Sequence, residues 1–106
     1  MLTTRASLEA NANFGFEEEV VREVELVTLD SMNLRDIDAI KIDVEGHESS
    51  VLDGALNTIE RERPSLVVEI EERHHPGRSE AIIEQLVSRD YLCCFLRAGQ
   101  LEHFER

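Results

Sequence analysis

The sequence predicts an α/β fold in which the strands of a mostly parallel sheet alternate with helices. Short runs rich in Ile, Leu and Val are typical of strands, and they lie at 20–29, 37–44, 65–71 and 91–97. Between them, apolar residues recur at helical spacing over 47–63 and 79–89. Strands and helices in this order imply right-handed crossovers and parallel pairing. A turn at 98–100 then adds an antiparallel strand, 101–105, as a closing hairpin.

Composition restricts the partners that this chain can bind. The chain has 106 residues, enough for one core, and its formal net charge is -12. This acidity argues against nucleic acid and anionic membranes, because binding to either requires many basic side chains. We find no apolar run long enough to span a bilayer and no hydrophobic signal segment near Met1. We therefore expect an acidic, cytoplasmic protein, with Cys93 and Cys94 as reduced thiols.

The N-terminal region differs from the rest of the chain. Asn11, Asn13 and Gly15 interrupt any apolar pattern, and Glu17–Glu19 are consecutive charges, so residues 1–19 predict a loop or loose arm. Residues 20–106 are expected to form the folded unit.

Within the folded unit, the strand Ile37–Val44 has one apolar face, and Ala39 and Lys41 on its other face are not strongly polar. This pattern is typical of a strand covered on both sides. The helix from His47 to Arg63 is predicted to end before Pro64, and its Gly54 is expected to allow close packing against the sheet. Ser79 is the predicted cap of the next helix.

Acidic side chains follow two neighbouring strands of the predicted sheet. Asp43 and Glu45 come after one strand, and Glu69 ends the next parallel strand. Because ligands of open α/β sheets bind at the carboxyl ends of strands, these three residues are candidate catalytic groups. Burial at a strand end would favour a proton-accepting or hydroxyl-orienting role. An equally good interpretation is that Asp43 and Glu45 cap the helix that begins near His47.

Other chemistry has weaker support. His74 and His75 lie close to Glu71 and Glu72, but adjacent histidines seldom bind one ion, so an ordinary surface loop is favoured and no metal site is predicted. We find no glycine-rich phosphate loop and no nucleophile elbow.

Four segments together resemble a known enzyme family. They are Val27-Thr-Leu-Asp-Ser-Met32, Ile37-Asp-Ala-Ile-Lys-Ile-Asp-Val-Glu-Gly-His-Glu48 and Val51-Leu-Asp-Gly-Ala55, followed by Arg63-Pro-Ser-Leu-Val-Val-Glu69. In order and spacing they are similar to the FkbM methyltransferases. His47 departs from the pattern, since the family usually has a small residue there.

The resemblance implies the C-terminal half of a Rossmann-like methyltransferase sheet, with residues 20–106 as a partial domain. It implies S-adenosylmethionine as methyl donor and O-methylation of a hydroxyl on a sugar or secondary metabolite. Asp43 and Glu45 would line the reaction site, with Glu69 on the same rim. The family's glycine-rich turn and ribose-binding acid are absent here, so the residues that bind the cofactor stay unassigned and the isolated chain is expected to be a poor catalyst.

Two kinds of partner follow from that absence. One is a separately encoded N-terminal half that completes the enzyme. The other is a second copy, paired through the edge of the Ile37–Val44 strand, in which case the chain is an inactive oligomerising or partner-binding module.

Overall fold

The computed structural model describes residues 2–9, 19–73 and 76–104, the first of these by its backbone alone. The strands of this part are β1 (Leu2–Glu9), β2 (Glu19–Leu26), β3 (Ala39–Ile42), β4 (Ser65–Val68), β5 (Cys94–Arg97) and β6 (Gln100–His103). Its helices are α1 (Glu48–Asp53), α2 (Leu56–Glu62) and α3 (Arg78–Val87), and a short 3-10 turn spans Asp30–Met32. None of these helices is long and apolar enough to cross a membrane.

The core forms on one face of the parallel pair β3–β4. Ile40 pairs with Leu66, and Ile42 pairs with Val68, so the four side chains share that face. All three helices pack onto it, and the buried cluster consists of Ile42, Leu52, Ala55, Ile59, Ile82 and Leu86. The strands and helices thus confirm the predicted α/β class.

The opposite face of β3–β4 is uncovered. Ala39 and Lys41 are exposed, and the side chain of Val67 is 60% exposed. The expectation that this strand is covered on both sides is therefore wrong within the described residues. The reason is that the apolar stripes of all three helices join a single cluster, so none of the described helices covers the second face.

The remaining strands form two antiparallel hairpins. β1 pairs with β2 from Leu2↔Leu26 to Glu9↔Glu19, so the loop predicted over 1–19 is wrong for residues 2–9, while 10–18 lie outside the described residues. β5 and β6 confirm the predicted closing hairpin, with Ala98 and Gly99 in the left-handed conformation of a tight two-residue turn. Of the described strand pairs two are antiparallel, so the mostly parallel sheet is not observed.

The predicted helix over 47–63 is divided into α1 and α2 at Gly54 and Ala55. The carbonyl of Gly54 accepts a hydrogen bond from the Asp30 backbone N–H at 2.8 Å. A Cβ atom on Gly54 would lie 3.0 Å from Cγ2 of Thr28, so the glycine admits the Thr28 side chain. Position 54 therefore needs a small residue because the segment that contains Thr28 passes close to it, and not because the helix packs against the sheet.

The helix α3 begins differently from the prediction. Gly77, with φ of 83°, precedes its first residue, and Ser79 lies inside the helix instead of capping it. The Ser79 backbone N–H donates to the Glu72 carboxylate at 3.1 Å, so an acidic side chain from the preceding loop satisfies this first-turn donor.

Candidate functional site

The carboxyl ends of β3 and β4 form a small open pocket of about 200 Å³. Its lining residues are Asp43, Glu45, Glu48, Glu69, Ile70 and Glu71. Asp43 directly follows β3, and Glu69 directly follows β4, where its backbone N–H donates to Ile42 O at 2.9 Å. The structure thus brings together the three carboxylates that the sequence singled out.

These three carboxylates do not stabilise the fold through contacts with the described part of the chain. The side chains of Asp43, Glu45 and Glu69 are exposed, and none of them forms a hydrogen bond or ion pair with another described residue. The burial expected for Asp43 and Glu69 is wrong, because they lie beyond the strand ends and on the uncovered side of the sheet. Their oxygens are free to contact a ligand.

The capping interpretation of Asp43 and Glu45 is also wrong. The residue that precedes α1 is His47, whose own side chain forms no capping hydrogen bond, and neither Asp43 nor Glu45 forms a hydrogen bond with a described residue. Instead, a left-handed turn at Glu45 and Gly46, with φ of 42° and 101°, carries the chain from the strand end into the helix. A left-handed glutamate costs of order 1 kcal/mol or more, so the surrounding contacts must hold this loop in place.

Glu48 supplies those contacts. Its side chain is fully buried, and its Oε1 accepts hydrogen bonds from the backbone N–H of Gly46 at 3.1 Å and of Glu71 at 2.9 Å. Its Oε2 lies 3.4 Å from Nη1 of Arg78, which also donates to the carbonyl oxygen of Gly46. One carboxylate therefore joins the loop after β3, the loop after β4 and the first turn of α3.

The surroundings of Glu48 keep it ionised. Burial alone would raise its pKa, but the N–H donors of Glu71 and Gly46, together with Arg78, lower the pKa to about 2. The sequence gives little sign of this role, since an acid in the first turn of a helix is usually an exposed partner of the helix dipole.

Glu71 completes the pocket floor. Its Oε1 is buried without a hydrogen-bond partner among the described residues, and its Oε2 would lie 3.5 Å from a Cβ placed on Gly46. His74 and His75 lie outside the described residues. Within 2–9, 19–73 and 76–104, no group of His, Cys, Asp and Glu is arranged to hold a metal ion.

A second carboxylate that the sequence analysis missed supports α2. Asp30 accepts hydrogen bonds from the backbone N–H groups of Asn57 at 3.2 Å and Thr58 at 2.8 Å, and from the Thr58 hydroxyl at 2.7 Å. It thereby caps α2 from a distant segment of the chain. The Thr28-Leu29-Asp30 stretch accordingly has a structural role: Thr28 contacts Gly54, and Asp30 holds the helix that follows.

The family model of the methyltransferase FkbM domain matches residues 2–93. The chain belongs to the FkbM methyltransferase family. The matched range contains the whole carboxylate pocket and both structural segments around Asp30 and Glu48, which confirms the resemblance drawn from the motifs. Neither a curated protein nor a solved structure matches the chain. Membership of this family indicates methyl transfer as the class of activity and, in general, S-adenosylmethionine as the donor.

Proposed function

We propose that residues 20–106 are the reaction-site part of a Rossmann-like methyltransferase domain that transfers a methyl group from S-adenosylmethionine to a hydroxyl of a sugar or secondary metabolite. The observation that supports this most directly is the convergence of Asp43, Glu45 and Glu69, exposed and unpaired, in one pocket inside the region matched by the family model. Three exposed, unpaired carboxylates next to each other contribute nothing to the stability of a fold, so a role in binding or catalysis is the better explanation.

The charge of the pocket fits one end of the donor. When bound, S-adenosylmethionine supplies an electrophilic methyl group on a positively charged sulfur, and clustered carboxylates attract that charge. The pocket holds about 200 Å³, which is less than the roughly 300 Å³ or more of a site that encloses a small molecule. These residues therefore contact the reacting end, and the rest of the donor is held by another part of a complete domain.

Asp43 is the residue best placed to act on the acceptor. It directly follows β3, and its carboxylate forms no hydrogen bond or ion pair with a described residue. In the proposed step Asp43 orients the acceptor hydroxyl, and the hydroxyl proton passes to this carboxylate while the oxygen gains the methyl group. Glu45 and Glu69 keep the pocket negative around the reacting atoms, so that positioning and charge supply the rate.

Titration of the whole chain by NMR with S-adenosylmethionine and with S-adenosylhomocysteine tests this proposal. The first ligand carries the sulfonium charge, and the second does not. We expect the charged ligand to bind more tightly and to shift the amide signals of residues 43–46 and 69–71. Removing one unit charge at about 6 Å in a watery site weakens the attraction by about 0.7 kcal/mol, so Asp43→Asn and Glu69→Gln should each weaken binding about threefold.

Glu84→Gln is the matched control, because Glu84 is an exposed carboxylate on α3 outside the pocket. It should leave both titrations unchanged. Equal shifts with the two ligands, or equal affinity in the pocket variants and the control, would refute a role for these carboxylates. Hydroxylated acceptors are then screened with protein and donor together, and the readout is the formation of S-adenosylhomocysteine.

A further inference from the structure

An ion pair lies behind the carboxylate pocket. Oε2 of Glu48 is 3.4 Å from Nη1 of Arg78, the Glu48 side chain is fully buried, and the Arg78 side chain is 16% exposed. Arg78 is not among the residues that line the pocket. Both oxygens of Glu48 already face donors within the protein, so its charge is compensated without a ligand.

The pair holds the backbone of the loop after β3. The N–H of Gly46 donates to Oε1 of Glu48 at 3.1 Å, and the carbonyl oxygen of Gly46 accepts from Nη1 of Arg78. The preceding residue, Glu45, has φ of 42°, a conformation that non-glycine residues keep only where contacts hold it. The position of the Glu45 side chain in the pocket therefore depends on the bonds made by the next residue.

The segment after β4 is held by the same carboxylate. The N–H of Glu71 donates to Oε1 of Glu48 at 2.9 Å, and the N–H of Glu69 donates to Ile42 O at 2.9 Å. Glu69 thus lies between two anchored backbone groups. Because one oxygen of Glu48 accepts from both Gly46 and Glu71, it sets the distance between the two segments that carry the pocket carboxylates.

The pocket carboxylates work against this arrangement. Asp43, Glu45 and Glu69 have no described partner and repel one another, which pushes the two segments apart. Beyond the ends of the strands, the hydrogen bonds of Glu48 join these segments. Bonds to a charged acceptor are stronger than bonds between neutral groups, so a carboxylate is well suited to oppose the repulsion.

We propose that Glu48 and Arg78 are positioning residues of the methyl-transfer site, which keep Glu45 and Glu69 at the spacing that a cationic donor requires. Neither residue contacts the donor. Since Arg78 is the first residue of α3, the start of that helix also determines the geometry of the pocket. This inference rests on the proposed function, because it assigns the pocket to S-adenosylmethionine.

Replacement of Arg78 by methionine separates positioning from charge. The change removes a positive charge near the pocket, so charge alone would tighten the binding of S-adenosylmethionine. Loss of the donor to Gly46 O frees the turn at Glu45, so positioning predicts weaker binding. We expect about tenfold weaker binding, as is typical when a residue that supports a binding group is removed. S-adenosylhomocysteine has no sulfonium charge for the carboxylates to attract, so it should lose much less affinity. Calorimetric titration measures both.

Two further variants complete the test. Arg78→Lys keeps the charge and an N–H donor, and should restore most of the affinity. Arg89→Met is the matched control, because it removes the same charge just beyond the other end of α3, where Arg89 lies 3.3 Å from Glu60 and outside the pocket. It should leave both titrations unchanged. Circular dichroism at the temperature of the titration checks that every variant is folded.

Amide hydrogen exchange without ligand tests the positioning separately from donor binding. The N–H groups of Gly46 and Glu71 should exchange faster in Glu48→Gln, whose neutral oxygen is a weaker acceptor, while the N–H of Ile59 within α2 should not change. Unchanged exchange at Gly46 and Glu71 would overturn the proposal. So would unchanged or tighter binding of S-adenosylmethionine by Arg78→Met, or equal losses for the two ligands, which would indicate general loosening of the fold. A wild-type chain that binds no donor would overturn the proposed function, and the exchange rates would still decide whether Glu48 holds the two segments together.

Discussion

Replacement of Asp30 by alanine should destabilise this protein more than the position of the residue on an exposed turn suggests. Asp30 accepts three hydrogen bonds from the first turn of α2, two of them from Thr58. Ala55 precedes the helix, and no side chain there caps it. Asp30 is therefore the cap of α2, supplied from 28 positions earlier in the chain.

The size of the effect follows from the burial of Thr58, whose side chain is fully buried. Loss of its partner leaves a buried N–H and a buried hydroxyl unsatisfied, which costs about 1–3 kcal/mol. Loss of an N-cap costs about 1 kcal/mol more. We expect about 3 kcal/mol in total, a large part of the roughly 5–15 kcal/mol that stabilises a domain. The corresponding fall in Tm is about 12–24 °C.

Urea and thermal denaturation followed by circular dichroism measure this loss. Asp30→Asn keeps one acceptor oxygen and should lose about 1 kcal/mol, the ordinary value of a neutral hydrogen bond. Glu84→Ala, an exposed control, should stay within about 0.5 kcal/mol of the wild type. In a double-mutant cycle, Thr58→Val should destabilise much less once Asp30 is already alanine. An Asp30→Ala variant as stable as the control would refute the reasoning.

The pH dependence provides a second check on Asp30. Burial alone would raise its pKa, but the hydrogen bonds from Thr58 and Asn57 and the charge of Arg61 hold the pKa below its ordinary value. A lowered pKa in the folded state means that the stabilisation is present above the unfolded pKa and is lost as the pH falls below about 4. The difference between wild type and Asp30→Ala should therefore shrink between neutral pH and strongly acidic pH.

Two further substitutions test contacts around the site and the closing hairpin. Glu48→Gln should destabilise the chain at neutral pH. Because folding lowers the pKa of Glu48 from 4.5 to about 2, the ionised carboxylate stabilises the fold less as the pH falls from 4.5 to about 2. The difference in free energy of unfolding between wild type and variant, measured by urea denaturation, should therefore narrow over that pH range. An unchanged difference would mean that the charge of Glu48 is unimportant. Tyr91→Phe removes the hydrogen bond that the tyrosine hydroxyl donates to Pro64 O at 2.7 Å, and should cost about 1 kcal/mol in thermal denaturation. A variant as stable as wild type would show that water replaces this bond at no cost.

The elements that the sequence predicted correctly are those with a local signal. Apolar periodicity located β2, β3, β4 and α3 within a few residues of their observed ends, because period 2 and period 3.6 are visible in the chain itself. The division of α1 from α2 had no such signal. It results from Thr28 lying against Gly54, and the β1 strand likewise depends on pairing with β2. Contacts between distant segments decide both.

The same distinction holds for the site. The strand-end rule found Asp43, Glu45 and Glu69, because it needs only the order of strands and the residues that follow them. Asp30 and Glu48 were missed, because their partners lie more than 20 positions away, at Thr58 and Glu71. An acidic residue near a helix start looks the same in sequence whether it is exposed or is the buried centre of several hydrogen bonds.

The acidic residues thus fall into two groups with opposite energetics. Asp30 and Glu48 have donors that compensate their charge, and the fold depends on them. Asp43 and Glu69 share a pocket with other carboxylates and have no described partner, so their mutual repulsion is an uncompensated cost to the folded chain. A cationic ligand would relieve that cost.

We therefore expect Asp43→Asn to raise Tm slightly while it weakens the binding of S-adenosylmethionine, the usual exchange of stability for function at a binding site. Calorimetry of the variant with and without ligand measures both changes, and a variant that loses stability would show that Asp43 belongs with the structural carboxylates instead.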